Sequence, residues 1–174
     1  MNRLEVDTER LTLRSLTYAD SPFLIELLNS EGWLTFIGDR NARTHADVVT
    51  YLNNGPLTSY AQYGFGLARV SLKGSHQPIG LCGLLQRDYL PHPDIGYALL
   101  PQFAGNGYAV EAARHTLDVA FGPLGLPKIL ATVMPANTAS IRVLTKLGMT
   151  QEGTIRPAGV PVDLLLFGKS APAR

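Results

Sequence analysis

Cysteine is almost missing from this sequence. Cys82 stands alone among 174 residues, so no internal disulfide can form and a reduced compartment, by default the cytoplasm, is the expected location. Metal-ligand spacing is missing as well. His45, His76, His92 and His115 lie far apart, and no Cys-x-x-Cys or His-x-x-x-His pattern occurs, so no metal is expected. An excess of one charge is also lacking: 15 basic residues stand against 14 acidic ones, net +1, and the basic ones are spread along the chain. That disfavours direct binding of nucleic acid. No apolar run approaches the roughly 18 residues that would cross a bilayer, so no membrane partner is expected. The segment from Met1 to Thr12 carries Arg3, Glu5, Asp7, Glu9 and Arg10 with no apolar stretch between them, unlike the apolar core of a signal peptide.

What is present is a globular balance, 45% apolar and 17% charged, over a length suited to one domain spanning residues 1–174. Arg10-Leu-Thr-Leu-Arg-Ser alternates as a half-buried strand does, and Thr17-Tyr-Ala-Asp offers a helix start before Phe23, Leu24, Leu27 and Leu28. Thr44-His-Ala-Asp repeats the capping pattern ahead of Val48, Tyr51 and Leu52, and Asn53-Asn-Gly-Pro is expected to stop that helix. Strands are expected over 64–72, 78–85 and 94–100, the first two joined by a hairpin loop at Lys73-Gly-Ser-His-Gln. A helix from Tyr108 to about Phe121, a strand from Lys128, a helix from Thr138 to Leu147 and two closing strands complete the order. The fold class is α/β (α+β): a mixed, mostly antiparallel sheet of about seven strands with helices on its faces.

Residues 100–111, Leu-Pro-Gln-Phe-Ala-Gly-Asn-Gly-Tyr-Ala-Val-Glu, join a strand to an amphipathic helix through two glycines. The first turn of a helix leaves backbone N–H groups without partners at the positive end of its dipole. Gly105 and Gly107 let a bulky anion approach that backbone, which suits a phosphate or pyrophosphate; a plain tight loop is the alternative on glycines alone. A dinucleotide fingerprint would need a third glycine where Val110 stands, and a P-loop would need Gly-Lys-Ser/Thr where Gly107-Tyr108-Ala109 stands.

Gln102-Phe-Ala-Gly-Asn-Gly-Tyr-Ala resembles the Gln/Arg-x-x-Gly-x-Gly/Ala signature of the GNAT superfamily of N-acetyltransferases, which holds the pyrophosphate of acetyl-CoA. Gly107-Tyr-Ala followed by Glu111-Ala112 resembles the branch containing the RimJ and RimL ribosomal-protein N-terminal acetyltransferases. A second segment, Asn137-Thr-Ala-Ser-Ile-Arg-Val-Leu-Thr-Lys-Leu-Gly-Met, resembles that branch's Asn-x-x-Ser-x-x-x-x-x-Lys-x-Gly-Phe, with Met149 in place of the final Phe.

The resemblance implies a splayed strand pair forming a CoA cleft, with acetyl-CoA as cosubstrate. Ala98, Leu99 and Leu100 would offer backbone to the pantetheine arm and steady an oxyanion. Gln102, Phe103, Ala104, Gly105, Asn106, Gly107, Tyr108 and Ala109 would form the pyrophosphate site. Asn137 suits a helix N-cap by residue type, and the resemblance adds a contact to the cofactor arm. Ser140 is the implied donor to the leaving thiolate, against a plain bond within its own helix. An amine must lose a proton to attack, so a carboxylate is sought: Asp94 first, Asp88 second, either of which also suits a loop aspartate. Trp33, Asp39, Arg40 and Arg87 are candidates for the acceptor side, in or near a segment, Gly32 to Arg43, that also resembles bacterial relatives. Phe36 suits the core, Arg43 either a solvated loop or the acceptor side, and Cys82 a small core residue, which favours direct transfer over an acyl-enzyme.

The implied function is transfer of acetyl to a primary amine, on a protein N-terminus or a small molecule, by a monomer or homodimer. A non-catalytic CoA-binding sensor and a phosphate-binding interaction module are the competing readings.

Overall fold

The computed structural model describes all 174 residues. In chain order the elements are β1 (Val6–Asp7), β2 (Leu11–Ser15), α1 (Ser21–Leu28), α2 (Glu31–Phe36), α3 (His45–Asn54), α4 (Pro56–Tyr63), β3 (Leu67–Leu72), β4 (Pro78–Leu85), β5 (Asp94–Leu99), α5 (Tyr108–Phe121), β6 (Lys128–Val133), α6 (Thr138–Lys146), β7 (Thr150–Ile155) and β8 (Leu164–Ser170). The strands form one sheet in the order β1-β2-β3-β4-β5-β6-β8-β7. Every neighbouring pair is antiparallel except β5 and β6, which run parallel around α5. The expected mixed sheet of about seven strands is therefore an eight-stranded one, the addition being the two-residue β1.

Local chemistry accounts for the helix starts. Thr44 Oγ1 accepts from the Asp47 N–H at 3.2 Å while Asp47 Oδ2 accepts from the Thr44 N–H at 3.0 Å, a reciprocal cap that satisfies two orphan donors of α3. Asp20 makes the same return bond to the Thr17 N–H at 2.8 Å, but that box opens a 3-10 turn over Tyr18–Asp20 that then leads into α1. Two helices, α2 and α4, were not expected. Pro56 was read as part of a stop signal, yet it stands at the first turn of α4, where its missing N–H costs nothing and its fixed φ suits a helix. A second short helix, α2, lies in the segment between α1 and α3.

Helices cover both faces of the sheet. On one face α5 and α6 pack on strand side chains, bringing Ala113, Leu117 and Leu144 together with Leu13, Val70, Cys82, Ile95 and Ile129. On the other face α1, α2 and α3 bring Leu24, Leu27, Trp33, Val48 and Leu52 onto Leu81 and Leu100. The buried stripe of α5 is Ala112, Ala113, Thr116, Leu117 and Ala120, while Val110 and Phe121 stand at its margins, half-buried. Small residues in that stripe let the helix lie close over the sheet. No helix is long and apolar enough to cross a membrane.

Leu117 is the one large side chain in the stripe and is almost fully buried. Leu117→Ala is expected to lower stability by about 2–5 kcal/mol through lost transfer energy and a residual cavity. Exposed Arg142, by contrast, should tolerate alanine within about 0.5 kcal/mol. Chemical denaturation of both variants, comparing midpoints at unchanged slope, checks the pair.

Candidate active site

The site begins with a gap in the sheet. β5 and β6 share one bridging pair, Asp94 with Leu130, next to which the Leu130 N–H donates to the Pro93 carbonyl at 2.9 Å. Beyond it they part. β5 remains paired with β4 through Leu99, and β6 with β8 along its whole length, so neither needs the other to stay extended. The Leu100 N–H donates to the Ile79 carbonyl at 2.8 Å, which commits Leu100 to the β4 side. Antiparallel pairs alternate, so the backbone of Ala98 turns to β4 as well, while the N–H and C=O of Tyr97 and Leu99 face the gap. Of the three strand residues expected to lend backbone, Leu99 is placed to do so; Ala98 and Leu100 contribute side chains to the α1–α3 face.

Past the strand a 3-10 turn over Pro101–Phe103 closes with the Phe103 N–H on the Leu100 carbonyl at 3.0 Å. Gly105 and Gly107 both have φ near +80°, at 81° and 79°, which side chains rarely adopt. The first helical bond of α5 is the one from the Glu111 N–H to the Gly107 carbonyl at 3.1 Å. Six successive N–H groups, from Gly105 to Val110, therefore have no protein acceptor. They are a run of unpartnered donors at the positive end of a 14-residue helix, chemistry that fits a pyrophosphate. The Asn106 side chain is turned inward, donating to the carbonyls of Phe103 and Ala104 at 3.3 and 3.2 Å, while Gln102 is exposed.

Arg10 holds this turn from outside and was noted in the sequence only as a terminal charge. Its Nη1 donates to the Asn106 carbonyl at 2.9 Å and its Nε to Glu111 Oε2 at 3.2 Å, and the guanidinium lies 4.5 Å above the Tyr108 ring. The pairing neutralises the one carboxylate in the first turn of α5, which would otherwise repel an anion.

Across the gap stands α6. Asn137 caps it, its Oδ1 accepting from the Ser140 N–H at 3.2 Å, as its residue type implied. Ser140 meets a residue that the sequence reading passed over: the Tyr97 hydroxyl lies 2.8 Å from Ser140 Oγ and 3.0 Å from the Ser140 carbonyl oxygen. Burial keeps the Tyr97 phenol protonated, far above its ordinary value. Only the strand's alternation, which put Ile95 and Leu99 on one face, could have placed Tyr97 beside α6.

Asp94 lies on the opposite face of β5, three residues and about 10 Å along the strand from Tyr97. It is 2% exposed, and its two carboxylate oxygens share the single Arg87 Nε–H, at 3.1 Å each. Burial pushes its pKa up to about 6, against the opposing pull of the Arg87 cation. Asp88, the second carboxylate candidate, is exposed.

Arg87 thus joins Asp94 and does not stand free on the acceptor side. Trp33 is 5% exposed, packed in the cluster that contains Leu100, with its indole N–H unpartnered. Asp39 is exposed and paired with Arg43 at 2.7 Å, and Arg40 lines a shallow cavity of about 310 Å³ with Tyr51 and Asn54. These three do not converge with Asp94 or Ser140 on any shared contact. Cys82 is buried against Thr116 with its thiol pushed up to about 12, inert as a nucleophile. No group of three or more His, Cys, Asp or Glu side chains comes together as a metal site.

A parallel pair that parts after one bridge, with a glycine turn of unpartnered N–H groups at its mouth, is the arrangement that the comparisons with known proteins share. Residues 10–150 match the acetyltransferase (GNAT) domain family, and the chain belongs to it. The uncharacterized N-acetyltransferase YoaA of Bacillus subtilis is 27% identical over 168 residues, covering 93% of this chain and 94% of its own. An acetyltransferase from Agrobacterium tumefaciens superposes with a TM-score of 0.80 at 29% identity, over 95% of this chain and 93% of that one. RimL, a ribosomal alpha-N-protein acetyltransferase solved with coenzyme A, shares the fold at a TM-score of 0.78 and 16% identity, over 94% of this chain and 95% of its own. The protein is an N-acetyltransferase.

Because folding raises the pKa of Asp94 from 3.8 to about 6, its protonated form is the one that folding favours. Its contribution to stability is full below pH 4 and is lost as the pH rises through 6, a change of about 3 kcal/mol at 1.36 per unit. Relative to Asp94→Asn, which cannot ionise, wild type should lose stability across that window. Urea melts of both proteins at pH 4, 5, 6 and 7 read the slope, and parallel curves would show that the carboxylate is not perturbed.

Proposed function

We propose that this N-acetyltransferase takes its acetyl group from acetyl-CoA and passes it directly to a primary amine, with residues 1–174 acting as one catalytic domain. The observation that carries the reading is the run of six unpartnered N–H groups from Gly105 to Val110, placed where β5 leaves β6. That row would hold the pyrophosphate, with Ala104 and the turn preceding it shaping its mouth and Tyr108 and Ala109 supplying the first helical donors. The unpaired edge of β5 at Tyr97 and Leu99 would receive the pantetheine amides. The thioester supplies an activated acetyl group. The Leu99 N–H, facing the gap, is placed to stabilise negative charge developing on the acetyl oxygen.

Asp94 is the residue we assign to the amine proton, through a water. Its pKa near 6 makes it ionised at neutral pH yet basic enough to accept. Ser140 would donate to the leaving sulfur from the other face of β5. Asp94 and Tyr97 alternate across the strand, so proton acceptor and proton donor are kept apart with the gap between them.

The acceptor we favour is the N-terminal amine of a protein. The Gly107-Tyr-Ala and Glu111-Ala112 pattern resembles the RimJ and RimL branch, and the likeness to RimL is one of fold. Exposed Arg40, on the α1–α3 side, would border the acceptor, with Trp33 supporting that side from the core and Asp39 held by Arg43 at the rim. A cytoplasmic monomer or homodimer suits the single cysteine.

Acetyl-CoA at about 100 times its Kd is expected to stabilise the protein by about 2.7 kcal/mol, or roughly 5–10 °C in melting temperature, with no shift from ATP or NAD. Gly107→Val, which puts a branched side chain at φ 79°, should remove that shift. Equal shifts with ATP would sink the assignment of the turn to CoA. With peptides bearing free N-terminal serine or alanine, and with small polyamines as competitors, kcat should rise about tenfold per pH unit up to about 6 and then level. Asp94→Asn should abolish that acidic limb and slow turnover by about 100-fold or more; an unchanged limb would move the base elsewhere.

A further inference from the structure

The hydroxyl of Ser140 is directed away from its own helix, toward a tyrosine. Thr50, Thr116 and Thr145 each donate back to the carbonyl four residues earlier, at 3.2, 2.9 and 2.9 Å. That is the usual resting place for a hydroxyl proton in a helix. Ser140 makes no such bond. It sits in the first turn of α6, its N–H is taken by Asn137 Oδ1, and its Oγ has one protein partner, the Tyr97 hydroxyl at 2.8 Å.

Tyr97 carries one proton and has two oxygens of Ser140 within reach. The Ser140 carbonyl already accepts its helical bond from the Leu144 N–H, by the i to i+4 rule within α6. Given to Oγ, the phenolic proton occupies a lone pair of the serine and leaves the serine's own proton free to point elsewhere. Given to the carbonyl, it lets the serine proton fall back onto the phenol oxygen. Which state prevails decides whether Ser140 can donate into the gap.

We propose that Tyr97 is a positioning residue that aims the Ser140 hydroxyl proton into the gap between β5 and β6, so that the two hydroxyls work as one donor. This rests on the reading of that gap as the acetyl-CoA site. Tyr97 itself gives up no proton, since burial holds its phenol protonated far above the range of a thiol. The bonds are only redirected: Tyr97 O–H to Ser140 Oγ, and Ser140 O–H to the sulfur. The backbone groups of Tyr97 face the same gap, so one residue lines it and orients the donor that serves it.

The test needs no acceptor amine. CoA is bound to wild type, Tyr97→Phe, Ser140→Ala and the double variant, saturation is confirmed by thermal shift, and the bound thiol is titrated by its thiolate absorbance. A donor aimed at the sulfur stabilises the thiolate, so the wild-type pKa is expected about one unit below the free thiol value of about 8.5. Tyr97→Phe, which keeps the ring and removes only the oxygen, should return most of that shift. In the Ser140→Ala background it should add nothing. Equal pKa values in wild type and Tyr97→Phe, both saturated with CoA, would overturn the proposal while leaving the CoA site standing. An effect of Tyr97→Phe that persists without Ser140 would overturn it too, by showing that the tyrosine acts on its own. Failure of CoA to shift the melting temperature of wild type would remove both readings, and that result is visible before any titration.

Discussion

Everything at this site depends on β5 and β6 parting after one bridge. A strand that leaves its neighbour exposes backbone N–H and C=O groups that must be satisfied by something else. The cost is bearable here because each strand is anchored on its far side, β5 by β4 and β6 by β8, over six paired positions apiece. The parallel connection also matters. α5 has to leave the end of β5, cross one face and return at the start of β6, so its N-terminus necessarily stands at the open end of the gap. The unpaired strand edge and the positive helix end are thus products of one topological step.

Charge is arranged around that step in compensating pairs. The first turn of α5 would be a poorer anion site with Glu111 unpartnered, and Arg10 cancels it while also holding the Asn106 carbonyl away from the donors. Asp94 shows the opposite balance. Removing a carboxylate from water raises its pKa, the Arg87 cation lowers it, and burial wins, leaving it at about 6. For the proposed role of proton acceptor, burial raises the proton affinity of Asp94 and Arg87 limits the rise. The ion pair is therefore better understood as tuning than as a source of stability.

Much of this was legible in the sequence because it is local. The alternation of β4 and β5, the cap at Asn137 and the two glycines before Tyr108 are each read within a few residues, and the elements fall within a few residues of the expected bounds. What was missed is either ambiguous or distant. Pro56 serves equally well after one helix or at the start of the next, and only the packing of α4 decides. Arg10 and Asn106 are 96 positions apart, and Tyr97 and Ser140 are 43 apart; no spacing rule joins them. Arg87 is a candidate for the acceptor side in the sequence, and its seven-residue separation from Asp94 brings it back along the hairpin onto that carboxylate.

The same contrast explains why the two halves of the site differ in definition. The half proposed for CoA is built largely from backbone, namely the edge of β5 and the donors of the turn, and backbone is dictated by topology and glycine. The half proposed for the acceptor depends on side chains carried by α2 and the loops, where Trp33 is committed to the core and Asp39 to Arg43. A fold can keep the first half while changing the second, since substitutions around Arg40 touch neither the sheet nor the turn. β5 is where the halves meet: its odd-numbered residues carry the donor side through Tyr97, and its even-numbered ones carry Asp94. A one-residue slip of β5 against β4 would exchange those faces, and the six-position register with β4 prevents it.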